Sequence, residues 1–561
     1  MTDGIDYIDV CKTDVLGLDS LHHTSIIPSP IPTITFDCLP YTILSNICTY
    51  LHQEELINFS LISKTSHLPA IGTLYLKIIV TDNIDLTCSV KKAIKKYPRF
   101  CGTIISISNF GKLLNCLYHN QHLAGLLRSL SLDLNQESVN LILLLGIVRG
   151  LKLQSLVAPD IPFSYFSMRG RLNLDTIKIL AVSAKDVGLT PLQFTELESL
   201  KIFYNETSRD KRNLRQLCKV LNEGNSLSKL RHLEFSESLQ IKAPTFLNIT
   251  NDDLDLDSIP AWAHFFDYFS NGKITRKLDL DSLAIEGWIG KKAKECMIRI
   301  LSAVDLSKLN HLQLHVNEKY PKNEQHTSQK RLLDLITERT PALQSLAIKP
   351  TSDDLFIQHY TIIKTLKQNL VHQLKHLLLV FESPMADQSL EVCSTICDCQ
   401  HNLESLLILD RSTAVVDSEL LHCCLSFDDY LLSLYDYGLI YEKKIVDLLF
   451  SNVLLTDFLK LDERFIINDY MLELAQNATD KGLNDFLWNL LNYTFSSVTS
   501  NNFKLIVSLP ALKLLNVLGI SLVIRHDNGY LNDRVQGLYY NTNGRYSISC
   551  GSTYLNGTTT V

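Results

Sequence analysis

The sequence lacks an excess of positive charge, a long apolar run and the usual phosphate- or metal-handling signatures. Lys and Arg number 53 against 60 Asp and Glu in 561 residues, a formal net charge of −7. That balance lacks the electrostatic footprint of a general nucleic-acid binder, so no nucleic-acid partner is expected. No apolar stretch approaches the roughly 18 residues that cross a bilayer. The longest, Leu141 to Val148, suits a buried element, and no membrane partner is expected. The opening residues MTDGIDYIDVCKTD are acidic and have no apolar centre, so no secretory signal is visible. Gly-x-Gly-x-x-Gly, Gly-x-x-x-x-Gly-Lys, Gly-x-Ser-x-Gly and His-Glu-x-x-His are all missing. The chain is therefore expected not to be an enzyme and to need no cofactor.

The 14 cysteines follow no regular spacing. Without an export signal they read as reduced, mostly buried thiols of a cytoplasmic or nuclear protein. The Asn-x-Ser/Thr triplets at Asn205, Asn477 and Asn492 then carry no glycan. Cys393, Cys397, Cys399 and His401, followed by His422, Cys423 and Cys424, invite comparison with a zinc site. Cys393 and Cys397 stand four apart and share a helical face with Ile396 and Leu390, which is the pattern of a buried repeat helix. No metal is expected there. The acidic pairs Asp252-Asp253 and Asp353-Asp354 read as helix starts or solvated turns, not acid/base pairs.

With 46% hydrophobic and 20% charged residues, the chain has the composition of a folded protein. Residues 1–33 read as an extension, because Pro28, Pro30 and Pro32 favour extended chain. Three short helices are expected within 34–80. Pro40 suits the first turn of one that carries Ile43, Leu44, Ile47, Cys48 and Leu51. Glu54 and Glu55 suit the positive end of the second, with Leu56, Phe59 and Leu61. Leu68, Ile71, Leu74 and Tyr75 belong to a third, with Pro69 near its start. So small a unit buries too little surface alone, and its apolar residues exceed what three short helices shield, so a partner surface is expected. Residues 81–126 read as linking helices, with Lys91, Lys92, Lys95, Lys96 and Arg99 on a solvated basic face.

From residue 127 to 525 the text changes to Leu-x-x-Leu-x-Leu/Ile/Val. Clear cases start at Leu127, Leu197, Leu230, Leu309, Leu343, Leu374, Leu403 and Leu512. Weaker ones are Leu153-Leu156 and Leu174-Ile177-Ile179, and Leu278-Leu280 suggests a strand. Helical text lies between them, as in LRQLCKVLNEG and KRLLDLITERTP. Strand, turn, helix and return is the unit of an irregular α/β leucine-rich solenoid of parallel strands and helices, in which stacking makes the core. Its variable strand positions, such as Lys201, Glu234, Gln313 and His315, would lie on the surface. A phosphate pocket would need clustered Arg or Lys on the sheet's concave face. Residues 410–505, mostly helix-like text, read as degenerate repeats or as a helical insertion in the solenoid. Within 526–561, LYYNTNGRYSIS signals a hairpin or cap around Asn543-Gly544.

The N-terminal helices carry Leu39-Pro40, Ile43-Leu44, Ile47, Tyr50-Leu51, Glu55-Leu56, Ser60-Leu61-Ile62-Ser63-Lys64 and Leu74-Tyr75 in order. This string resembles an F-box, with Thr42 where an acidic residue is usual and no Trp near Ser66. F-box followed by leucine-rich repeats resembles the F-box/leucine-rich-repeat proteins, in a style close to the fungal ones. The resemblance implies docking to Skp1, and through it to a cullin, with the contact set Leu39, Pro40, Ile43, Leu44, Ile47, Leu51, Leu56 and Leu61. It implies a substrate-recognition adaptor of a ubiquitin ligase, with a protein substrate held by the repeats. Two alternatives stand beside it: a Skp1-binding regulator that sequesters a target such as a small GTPase outside the ligase, and a plain repeat scaffold.

Overall fold

The computed structural model describes residues 39–82, 102–133, 148–164, 173–237, 259–270, 276–289, 292–318, 331–348, 355–381, 386–410, 508–517, 520–525, 534–541 and 544–550. The expected extension 1–33, the Lys91–Arg99 face, both acidic pairs, the insertion proper, and His422, Cys423 and Cys424 lie outside these residues.

Three helices come first: α1 (Tyr41–Cys48), α2 (Gln53–Ile62) and α3 (Lys64–Leu76). Pro40 sits just before α1 rather than in its first turn, and its carbonyl accepts from the Ile43 and Leu44 amides at 3.0 and 3.1 Å. The Glu55 carboxylate accepts from the His52 backbone N–H at 2.9 Å, which satisfies one donor at the start of α2. Ser63 caps α3: its Oγ accepts from the Ser66 amide at 3.2 Å, while Ser66 Oγ accepts from the Ser63 amide at 3.1 Å. Pro69 lies inside α3 without ending it.

Helix α3 runs straight into the first strand, β1 (Lys77–Thr81), which pairs in parallel with β2 (Thr103–Ser106) and β3 (Ser129–Asp133). The sheet therefore begins at Lys77, inside the segment expected to be helical, rather than at 127. Residues 81–126, expected as linking helices, hold β2 as well as α4 (Ile107–His119) and α5 (Gln121–Leu126).

Parallel strands follow one another in chain order: β4 (Ser155–Pro162), β5 (Ile179–Ser183), β6 (Ser199–Tyr204), β7 (His232–Glu237), β8 (Ser282–Ile289), β9 (His311–Glu318), β10 (Ser345–Ile348), β11 (His376–Phe381), β12 (Ser405–Asp410) and β13 (Leu514–Val517). Antiparallel β14 (Ile520–Arg525), β15 (Arg534–Asn541) and β16 (Gly544–Cys550) close the far end of one 16-stranded sheet. Adjacent neighbours and parallel pairing make this a solenoid-like α/β fold.

The leucine pattern explains the core. Each Leu-x-x-Leu-x-Leu unit places its first leucine before the strand and its other two on one side of the pleat, since side chains alternate along a strand. Leu197, Leu200 and Ile202, or Leu374, Leu377 and Leu379, are all buried in one continuous cluster. The opposing layer comes from α6 (Ser208–Glu223), a 3-10 turn (Ala261–Phe266), α7 (Asp267–Ser270), α8 (Ala293–Ala303), α9 (Leu332–Thr337), α10 (Leu355–Gln368) and α11 (Ala386–Cys399). Leu214, Leu217, Ile300, Ile336, Leu366 and Ile396 bring these elements into the same cluster. Where α6 ends against a strand connection, only glycine fits: a Cβ on Gly224 would stand 1.8 Å from the Leu192 carbonyl oxygen.

Two units are registered differently from the sequence reading. The weak unit is Ile177-Leu180-Val182, since Leu180 pairs with Leu200 and Ile179 faces outward. A slip of one residue exchanges the two sheet faces. Likewise Leu280-Leu283-Ile285 forms the β8 unit, and Leu278 makes only an isolated bridge to Val304. In the terminal hairpin, Asn541 pairs with Gly544, so Gly544 belongs to the strand and not to the connection.

A column of backbone bonds fixes where β4 to β12 begin. The Glu198 carbonyl accepts from the amides of Arg231 and His232, and the same two-donor pattern recurs at Arg128, Gln154, Lys178, Arg231, Asp281, Asn310, Gln344 and Lys375, at 2.7–3.0 Å. Glu404 continues it to Lys513, although 109 residues separate the two. Strands β12 and β13 thus pair directly in parallel despite their distance in sequence.

Candidate partner-docking surface

Helices α1 to α3 have a small core of their own, separate from the solenoid core. Leu44, Cys48, Leu56, Phe59, Ala70 and Leu74 fill it, with Leu39, Ile47, Leu51, Ile71 and Tyr75 packed at its margin. Tyr75 also touches the main core. Burial holds the Cys48 thiol above its ordinary pKa.

The unit sits on the open edge of the sheet. The Gln53 side-chain carbonyl accepts from the Ile104 amide of edge strand β2 at 2.8 Å, and Thr103 Oγ1 donates to the Leu74 carbonyl at 2.8 Å. One edge donor is thereby satisfied, which blunts strand-to-strand association.

The eight residues expected at a partner groove divide into three kinds. Leu44 and Leu56 are 1% and 0% exposed, so they hold the helices together and offer no surface. Leu39, Ile47 and Leu51 are half-buried against that core. Pro40, Ile43 and Leu61 are exposed, Leu61 at 77%. The helical spacing of apolar residues could not separate these roles, because α1 and α2 are apolar on both sides.

The structure adds residues that the expected set omitted. Tyr41, Ile57, Ile62 and Leu68 of the same three helices, and Tyr50 of the connection between α1 and α2, are exposed apolar side chains. With Ile43 and Leu61 they place half of the exposed large apolar side chains among the described residues within 41–68. Concentration of this kind, unlike a lone exposed leucine, makes this unit the candidate interaction surface. The legible signal was an excess: more apolar residues than three short helices can bury.

The sheet face turned away from the helices is a second surface. Register aligns Ser199, His232, Ser282, His311, Ser345, His376 and Ser405 in one row. His376 Nδ1 lies 2.9 Å from Ser405 Oγ. Burial lowers the pKa of His311 and of His376, with Asp281 and Glu404 respectively opposing the shift. The neighbouring row includes Lys201, Glu234 and Gln313. Lys201 Nζ and Glu234 Oε1 pair at 2.7 Å across β6 and β7, and His315 Nδ1 stands 3.1 Å from Glu286 Oε1. Three of the four variable positions are thus engaged with neighbouring repeats.

Cys393 and Cys397 are placed on α11, Cys397 in the core and Cys393 packed against it. Burial pushes the Cys393 thiol up to about 12, which disfavours the thiolate that a metal requires. Among the described residues no group of His, Cys, Asp and Glu could hold a metal ion, and no helix is long and apolar enough to cross a membrane. A scan against protein-family models finds no match to the chain, and a search of curated proteins finds none either.

Proposed function

We propose that this chain is a non-catalytic adaptor whose three N-terminal helices dock Skp1 and whose solenoid holds a protein substrate for a cullin-type ubiquitin ligase. The observation that carries this reading is the exposed apolar surface of Tyr41, Ile43, Tyr50, Ile57, Leu61, Ile62 and Leu68. Its mechanism is proximity: a tethered substrate meets the transfer machinery at raised effective concentration, and no residue of this chain touches the reacting atoms. The edge contacts through Gln53 and Thr103 favour a second reading, in which the helices serve only as a cap on the sheet.

A pull-down separates these readings. Wild type and an Ile43→Asp, Leu61→Asp double variant are blotted for Skp1 and cullin. Both side chains are exposed, so charge there leaves the fold intact and blocks burial in an apolar groove. Both proteins with wild type and neither with the variant supports the adaptor. Skp1 without cullin supports a sequestering regulator. Neither protein with wild type leaves the scaffold with its cap.

A further inference from the structure

The outward sheet face carries an alternation that the core does not require. The first strand position reads Ser199, His232, Ser282, His311, Ser345 and His376 from β6 to β11, in register across six strands. Each is followed by a leucine of the main core, so the alternation lies on the outer side alone. All six side chains are half-buried. The next outward position is small on the serine strands β8 and β10, where Ala284 and Ala347 are each 8% exposed. The histidine strands β7, β9 and β11 carry Glu234, Gln313 and Leu378 there. Ridges of imidazole thus alternate with notches at Ser282–Ala284 and Ser345–Ala347.

The ridges offer unused donors and little charge. Burial lowers the pKa of His311 and of His376, so these rings are neutral near pH 7. Lys201 and Glu234 neutralise each other beside the row. The Ser199, His232, Ser282 and Ser345 side chains make no hydrogen bond among the described residues, and His311 approaches Asp281 only to 3.7 Å. The charged cluster on the helical side is, by contrast, closed on itself. There Arg215 donates to Asp267 Oδ2 through Nε and Nη2 at 2.9 and 2.6 Å, and Arg299 Nη1 and His264 Nδ1–H donate to the same carboxylate.

Spacing decides what the row can hold. Neighbouring strands lie about 4.8 Å apart, so histidine follows histidine, and notch follows notch, at about 9.6 Å. A polyproline-II chain rises about 3.1 Å per residue with three residues per turn, and brings the same side round every ~9.3 Å. Over the two intervals from β7 to β11 the mismatch is about 0.6 Å. An α-helix brings its face round every ~5.4 Å and a strand every ~6.8 Å, and neither divides the histidine interval. Hydrogen bonding agrees with the spacing. A polyproline-II chain bonds none of its own backbone and its prolines lack an N–H, so it presents carbonyl acceptors to serine hydroxyls and imidazole N–H groups. Planar aromatic rings are the surfaces against which such chains pack.

We propose that β7 to β11 bind an uncharged, proline-rich polypeptide segment in the polyproline-II conformation, running across the strands, with every third residue entering a notch and the prolines between lying against His232, His311 and His376. This rests on the reading of the solenoid as the part that holds a protein substrate, and it names the class of segment held. The N-terminal helices play no part in it.

The test is fluorescence anisotropy of a labelled nonapeptide of three Pro-Pro-Val triplets, titrated with the full chain alone. Its control has the same composition with the three valines adjacent. The periodic peptide is expected to bind about tenfold tighter or more, the scale of seating one apolar side chain. Ala284→Leu fills one notch and Ser345→Leu the other, and each is expected to weaken binding of the periodic peptide by a similar factor. Ser345 is half-exposed, so Ser345→Leu leaves the fold intact and covers the case in which Ala284→Leu does not. His311→Ala removes the central ridge and is expected to weaken binding as well. No binding of the periodic peptide, equal binding of the two peptides, or unchanged binding in both leucine variants overturns the proposal. Neither Skp1 nor cullin is in this assay, so its failure leaves the pull-down with Ile43→Asp, Leu61→Asp to judge the adaptor by itself.

Discussion

Leu56 and Leu61 lie five residues apart on α2, yet one is 0% and the other 77% exposed. Leu56→Ala leaves a cavity among Leu44, Phe59 and Leu74, and such changes cost about 2–5 kcal/mol. A three-helix unit with six buried apolar residues has little stability to lose, on the order of 3–5 kcal/mol. A loss near 3 kcal/mol raises its opening about 100-fold, at about 1.4 kcal/mol per factor of ten. Leu61→Ala removes a side chain already about three-quarters in water, worth roughly 0.5 kcal/mol, or about a twofold change. A chain this long does not unfold as one cooperative unit, so a single melting temperature reports poorly. Peptide-resolved hydrogen exchange across 41–76 reads the local opening directly. Equal acceleration by both variants, or none from Leu56→Ala, would show that the division between core and surface drawn here is wrong.

Gln400 is fully buried on the connection after α11, and its Nε2 donates to the Leu370 carbonyl at 2.7 Å. Gln373 does the same one repeat earlier, donating to Thr340 and Leu343 at 2.8 and 3.0 Å. Gln400→Ala strands the Leu370 carbonyl and the Leu374 amide and should cost about 1–3 kcal/mol, seen as faster exchange just before β11 with other repeats unchanged. For pH, His264, His311 and His376 all have folded pKa values below the unfolded value near 6.5. The unfolded chain therefore binds protons first, and stability present above pH 6.5 is lost as pH falls toward 4. His264 alone accounts for up to about 3 kcal/mol, so the urea midpoint for opening of the region around α7, read by peptide-resolved hydrogen exchange, should drop across that window, and His264→Gln should flatten the slope. A midpoint that rises on acidification refutes the assignment.

Much of the solenoid was legible because one rule repeats. Leucines three and then two apart define a strand with one buried face, and Leu309, Leu343, Leu374 and Leu403 keep that rule cleanly. It failed where chemistry permits two registers: Leu174-Ile177-Ile179 matches as well as Ile177-Leu180-Val182, and only neighbouring strands choose. Strand β1 was hidden because Lys77–Thr81 follows a helix without a turn signal between them. The exposed apolar side chains within 41–68 were legible as a surplus of apolar residues but not as particular side chains. The Arg215–Asp267–Arg299 cluster was not legible at all, since its members come from α6, α7 and α8 and carry no local motif.

The step from Glu404 to Lys513 has a consequence for connectivity. Its neighbours in the backbone column are bonded across separations of about 30 residues, whereas this step spans 109. Closure entropy rises only with the logarithm of length, so as a plain tether the longer connection adds about 1 kcal/mol over an ordinary repeat. Sequence between β12 and β13 can therefore grow, shrink or be exchanged at almost no thermodynamic penalty to the sheet. In evolution this seam is where the protein can take up a new module while every strand keeps its neighbour.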